Sequence, residues 1–162
     1  MKQKKRKNSD RTIAKNNAWD ACSVFVRTRD AYRTLGGQTM WIEKKDGTQK
    51  EVLACLCCTC NKQYPAFGQG CGQAGHFIPG RRGAVLFDER GIHFQCYNCN
   101  TNLKSNPRKY HAFMLEKYGQ DLIDELDMLS EEEVSYTEQD FKRIEQYFKT
   151  ETEKIINRGG VW

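Results

Sequence analysis

The chain has 162 residues, 38% hydrophobic and 29% charged, with a net charge of +5 and eight cysteines. That is enough for one modest core with helical extensions, and a core this small is usually helped by a covalent or metal staple. No apolar run approaches the ~20 residues of a membrane span. The start, Met1-Lys2-Gln3-Lys4-Lys5-Arg6-Lys7, lacks the apolar stretch of a signal peptide, so a cytoplasmic protein is expected, in which cysteines favour metal over disulfides.

Charge is unevenly spread. Residues 1–50 carry 13 Lys/Arg against 5 Asp/Glu, residues 51–110 carry 7 against 3, and residues 111–162 carry 6 against 13. The basic front and middle suit a phosphate-bearing partner, and the acidic tail does not.

Residues 1–10 read as a basic disordered tail, which is either a DNA-binding arm or simply solvated. Asp10 is the expected cap of a helix over about 11–35. Ala14, Ala18, Ala21, Cys22, Phe25 and Val26 form its apolar stripe, which makes Cys22 a core residue. Gly36-Gly37 ends it. Thr39–Glu43 and Thr48–Ala54 read as a hairpin around Lys45-Asp46-Gly47. These elements make up a unit over 11–54.

The next unit, 55–118, is organised by cysteines. Cys55-Leu56-Cys57-Cys58-Thr59-Cys60 offers two Cys-x-x-Cys pairs, Cys55/Cys58 and Cys57/Cys60. Cys96-Tyr97-Asn98-Cys99 offers one more. Two such pairs can share one tetrahedral zinc. Cys57 and Cys60 are favoured because the turn residues Asn61-Lys62 follow them, and Cys96 and Cys99 would complete a closed structural site. The 35 residues between Cys60 and Cys96 exceed the gap of an ordinary zinc finger, so a further motif folds inside it. Gln73–Ile78 is a short strand candidate with Ala74, His76 and Ile78 on one face. Pro79–Gly83 is a basic loop, and Ala84–Phe87 is the expected second strand. Cys71 has no assigned role.

From Asn100 the chain turns helical. Pro107 suits the first turn of a helix to about Tyr118, and Gly119 breaks it. Over 119–162, a helical extension is expected: Asp121–Leu129, then a helix capped by Thr137 and Asp140. That last helix runs to about Ile156 with Phe141, Ile144, Phe148 and Ile155 on one face, either for internal packing or for a dimer contact.

A histidine-bearing strand between two thiolate pairs, followed by a helix, resembles the HNH (ββα-metal) nuclease fold. Ala74-Gly75-His76-Phe77, Leu86-Phe87-Asp88-Glu89-Arg90, Ile92-His93, Gln95-Cys96, Cys99-Asn100 and Asn106 are similar to the NinG (Rap) recombination proteins of lambdoid phages, and the likeness extends over roughly residues 15–155. The expected fold class is α+β, a zinc-stapled ββα-metal core with flanking helices. The resemblance implies a structure-specific endonuclease that hydrolyses branched DNA such as Holliday junctions and D-loops, acting as a possible homodimer. It implies His76 as general base and Asn100 as a ligand of a catalytic Mg²⁺ or Mn²⁺. Asp88 would bind that cation or brace the loop. Two positions depart from the family pattern. Gly91 stands where an asparagine would orient the histidine, and Gln73 where an aspartate precedes it. His93 then becomes the alternative ligand or orienter.

Oxygen ligands suit a hard cation, and a neutral imidazole can take a proton from water near neutral pH. Arg81, Arg82, Arg90, Lys104 and Arg108 are the candidate phosphate contacts. Tyr97 is expected to pack in the core rather than stack on a base, and His111 to lie on the surface. The competing reading is a non-catalytic zinc module that binds DNA or a recombination partner.

Overall fold

A computed structural model describes residues 9–80 and 83–160. It is a mixed helix-and-sheet fold. Helix α1 spans Asp10–Leu35 and buries the predicted stripe of Ala14, Ala18, Ala21, Cys22, Phe25 and Val26. The cap is Ser9, not Asp10. The Ser9 hydroxyl accepts the Thr12 N–H, while Asp10 sits in the first turn, where a carboxylate suits the helix dipole. Gly36, at φ 60°, closes the other end.

Strands β1 (Thr39–Glu43) and β2 (Gln49–Leu56) pair in antiparallel fashion with Trp41 opposite Glu51. Strand β3 (Gln63–Pro65) adds to the far side of β2. A separate ribbon follows, β4 (Gln73–His76) against β5 (Ile92–Gln95), with His76 opposite Ile92 and Gly75 opposite His93. The expected strand at Ala84–Phe87 is instead a 3-10 turn. Val85 and Leu86 point into the core from that turn, and the β4 partner comes from the four fully covered residues Ile92–Gln95.

Helices α2 (Pro107–Tyr118), α3 (Gln120–Ser130) and α4 (Glu138–Asn157) complete the chain. The capping box at Thr137 and Asp140 is formed. Helix α4 lies along α1 in the same direction: Phe141 packs with Ala14, Phe148 with Phe25, and the backbone at Gly160 meets Tyr32. Its apolar face is therefore used inside the chain.

The ribbon is held between two helical layers. Ala74 and Ile92 face α1 and α4. His93 and Tyr110 lie on the α2 side, where the Tyr110 hydroxyl donates to the Gly75 carbonyl at 2.7 Å. Among the described residues no helix is long and apolar enough to cross a membrane.

Candidate functional site

The turn that follows β2 sorts the first cysteine cluster. Cys55 is buried with Ala31, Ala66 and Phe94, and Cys58 packs under α2 against the cluster of Tyr110 and Met114. Cys57 and Cys60 face the other way. The knuckle closes through the Cys57 N–H to the Lys62 carbonyl (2.9 Å) and the Asn61 N–H to the Cys57 carbonyl (2.8 Å). The second knuckle turns back on itself, with the Cys99 N–H 3.4 Å from Cys96 Sγ.

The sulfurs of Cys57, Cys60, Cys96 and Cys99 all lie within 4.8 Å of one another. Cys60 and Cys96 are 3.9 Å apart, close to the ~3.8 Å that two sulfurs keep in a tetrahedron around zinc at ~2.3 Å. The four cysteines could hold a structural metal such as zinc. Among the described residues this is the one group of three or more His, Cys, Asp or Glu side chains so disposed. Burial pushes the Cys57 thiol up. The Thr59 hydroxyl and several backbone N–H groups outweigh that and bring it down to about 7. Burial holds Cys60 up at about 12, so loading a metal must also release protons. Cys22, Cys55 and Cys58 are all pushed up by burial, as expected of inert core thiols.

His76 ends β4 on the α1 side of the ribbon, only 8% exposed. The Trp19 ring stacks on it at 4.8 Å. Its Nε2 is 3.0 Å from the Leu86 carbonyl oxygen. A carbonyl can only accept, so the neutral ring carries its proton on Nε2 and its basic lone pair on Nδ1.

Asn100 lies on the other side. It belongs to a π-helical turn, Asn98–Asn102, that follows the second knuckle. Its amide donates to Gln73 Oε1 at 2.6 Å, and Ser105 Oγ donates to its oxygen at 3.4 Å. A Cβ on Gly75 would clash with Gln95 Oε1 and come within 2.8 Å of Asn100 Oδ1, so any larger residue there must displace both side chains. Side chains alternate along a strand, which places His76 and Asn100 on opposite faces of the ribbon, one residue apart along it.

Gln95 was given no role by the sequence. Wholly buried, it donates from Nε2 to Thr59 Oγ1 (3.2 Å) and to the Ser105 carbonyl (2.9 Å), tying both knuckles to the loop after Asn100. Its Oε1 is the one buried side-chain oxygen or nitrogen among the described residues without a partner. Only a polar residue closing an otherwise apolar strand, Ile92-His93-Phe94-Gln95, could have signalled it.

The profile of the family described as Bacteriophage Lambda NinG protein matches residues 1–158. The chain belongs to the NinG family. Comparison with curated proteins and with solved structures gave no match. Membership suggests a protein related to phage recombination.

Other residues singled out by the NinG resemblance are placed as follows. Asp88 is held within its own loop: its oxygens accept from the Arg90 backbone N–H (3.0 Å), Nε (2.9 Å) and a terminal guanidinium nitrogen (2.6 Å), which is the bracing role. His93 is not brought to His76. It is fully buried on the α2 side, its Nε2 donating to the Arg90 carbonyl (3.1 Å) and its Nδ1 accepting from Arg29 (3.2 Å). Burial, the largest influence on this ring, lowers its pKa and keeps it neutral. Its neighbours hold it in place: Asp30, fully buried, pairs with Arg29 at 2.8 Å and lies 3.4 Å from His93.

Arg90 is ion-paired to Asp88 and Glu125, and these partners compensate the charge proposed for phosphate. Arg81 and Arg82 lie outside the described residues, as does nearly all of the basic tail. Lys104 and Arg108 are exposed. Tyr97 is also exposed, at 56%, and does not pack in the core. His111 is on the surface. Lys104, Ser105 and Asn106 all adopt positive φ (49°, 67° and 50°). For non-glycine residues that conformation costs about 1–2 kcal/mol each, and such strain gathers at working surfaces.

Proposed function

We propose that this NinG-family protein is a metal-dependent endonuclease that hydrolyses phosphodiesters in branched recombination intermediates, on a fold stapled by zinc at Cys57, Cys60, Cys96 and Cys99. The observation that carries the reading is the Asn100 carboxamide oxygen against Gly75, immediately beside His76 in the chain. A scissile phosphate crossing the end of the ribbon would then meet a base from one face and an oxygen ligand from the other.

In this reading His76 Nδ1 takes the proton of the attacking water. Asn100 Oδ1, with the unpartnered Gln95 Oε1 nearby, offers the oxygen atoms that Mg²⁺ or Mn²⁺ prefers. Such a cation, when bound, stabilises charge on the leaving and non-bridging oxygens. Lys104 and Arg108 would hold the flanking phosphates.

A second reading is a DNA-binding protein without cleavage. It is favoured by the amides at Gln73 and Asn100, which give a cation no anionic ligand, and by Gly91, which has no side chain to orient His76. The test is cleavage of a labelled four-way junction and a matched duplex in Mg²⁺ or Mn²⁺. Junction-selective cutting lost in His76→Ala and Asn100→Ala, with the zinc retained, supports the nuclease. Tight junction binding without cutting in either metal supports the second reading.

A further inference from the structure

Ten large apolar side chains stand exposed among the described residues, and most have acidic company. Trp41 sits opposite Glu51 and two residues from Glu43. Met128 is on α3 with Asp121, Asp124, Glu125 and Asp127, and Tyr147 and Ile156 are on the acidic α4. Tyr97 and Leu103 differ. They emerge at the two ends of the Asn98–Asn102 turn, 56% and 48% exposed. From Cys96 to Leu115 the sequence has no Asp or Glu, while Lys104, Arg108 and Lys109 are all exposed. Lys62, on the first knuckle, is exposed as well.

The segment that presents this pair is held firmly. The Leu103 N–H donates to the Asn98 carbonyl (2.9 Å), Ser105 N–H to Asn100 (3.0 Å) and Asn106 N–H to Leu103 (2.8 Å). Gln95 clamps the Ser105 carbonyl from inside. The three left-handed residues Lys104–Asn106 are thus fixed in place, and they turn the chain sharply right after Leu103. Two exposed apolar side chains on one rigid turn, in a basic stretch without acids, suit a polyanion that also offers flat apolar faces.

We propose that Tyr97 and Leu103 form a wedge that takes an unstacked nucleobase at a branch point in DNA, with Lys104 and Arg108 on the adjoining phosphates. Tyr97 supplies a ring for stacking, and Leu103 fills the gap left in the base stack. The inference rests on the DNA-binding part of the reading above and not on cleavage. It places the preference for branched DNA in this loop, because a continuous duplex has no free base face to offer.

The test uses the full metal-loaded chain, with Ca²⁺ in place of Mg²⁺ to suppress cutting. The probe is a four-way junction carrying 2-aminopurine at the branch, beside a linear duplex carrying it mid-strand. Wild type is expected to change the fluorescence at the branch and not in the duplex. Tyr97→Ala should abolish the change and weaken junction binding about 5- to 150-fold, the range of one lost base stack. Tyr97→Phe should restore it, Leu103→Ala should reduce it, and duplex affinity should hold within about twofold, as one lost stack leaves phosphate contacts intact. Both sites are exposed, so retained four-cysteine metal and circular dichroism will certify the fold. Unchanged junction binding and fluorescence in Tyr97→Ala and Leu103→Ala, or an equal loss on duplex, overturns the wedge. Junction binding with the fluorescence change but no cutting in Mg²⁺ defeats the nuclease reading and leaves the wedge standing.

Discussion

The carboxylate of Asp30, on α1, accepts the backbone N–H of Phe94, on β5, at 2.8 Å. The same carboxylate pairs with Arg29, whose guanidinium reaches the Glu89 and Ile92 carbonyls at 2.8 and 2.7 Å. One buried pair of neighbours on a helix therefore fixes the ribbon that carries His76. Asp30→Ala leaves the buried Arg29 with only the partly exposed Glu89 carboxylate, 3.7 Å away, and should destabilise the fold by ~3–5 kcal/mol in urea melts. Asp30→Asn retains an acceptor for Phe94 and should cost less.

The same cluster sets the response to acid. Burial opposes charge on Asp30, but the Arg29 guanidinium overcomes it and holds the carboxyl well below its usual range. Its contribution is present above the unfolded pKa and is lost as pH falls through the folded one. His93 is lowered by burial, so the unfolded chain binds a proton there sooner than the folded chain. Both effects have the same sign. Stability should decline from about pH 6.5 downward, first through His93 and then below about pH 4 through Asp30. His93→Gln should remove the upper part of that decline in pH-dependent urea midpoints.

The sulfur cluster gives a sharp contrast between neighbours. Cys57→Ser, Cys60→Ser, Cys96→Ser or Cys99→Ser should each lose the bound metal, seen as release to a chromogenic chelator and loss of cooperative melting. Cys55→Ala and Cys58→Ala should keep the metal and cost only a core truncation of about 1 kcal/mol. Metal lost equally from both groups of variants would contradict the assignment.

Gly75→Ala drives a methyl group into the Gln95 and Asn100 side chains. A cost of about 1–3 kcal/mol is expected, together with displacement of Asn100. If the nuclease reading holds, cleavage should fall further than stability explains.

Gly91 allows a contrasting substitution. A Cβ there meets only Leu126, at 3.4 and 3.7 Å, in ordinary contact. Its carbonyl accepts the Phe77 N–H at 2.8 Å, so residue 91 lies just past His76. Gly91 is buried, so Gly91→Asn sets a carboxamide against Leu126 and should cost about 1–3 kcal/mol. Leu126 belongs to the apolar cluster of Tyr110 and Met114, across the ribbon from His76, so the new side chain should not raise junction cleavage.

What could be read from the sequence followed the reach of local signals. The α1 stripe, the Asp46-Gly47 hairpin, Pro107, Gly119 and the Thr137 box act within a few residues, and each marks its element. The Cys57/Cys60 preference rested on Asn61 and Lys62, which do close the knuckle. Ala84–Phe87 failed because four apolar residues do not distinguish a strand from a 3-10 turn. His93, Gln95 and Tyr97 depend on which face of a short strand or turn looks inward, and that is decided by α1 and α2 from 60 and 15 residues away, roughly, in the chain. The polar cluster of Arg29, Asp30 and His93 is likewise a tertiary product with no periodic trace.

The sorting of the cysteines also has a consequence in time. Cys60 and Cys96 are separated by 36 residues, about 2–7 s of translation at ~5–20 residues per second. During that interval the nascent chain exposes two interchangeable half-sites, Cys55/Cys58 and Cys57/Cys60, and neither can enclose an ion alone. The choice between them falls to Phe94, whose carbonyl takes the Cys58 N–H at 3.0 Å and whose ring covers Cys55. Any ion the four sulfurs take up is therefore captured late in biogenesis, once the ribbon has arrived and the pair has been chosen by folding.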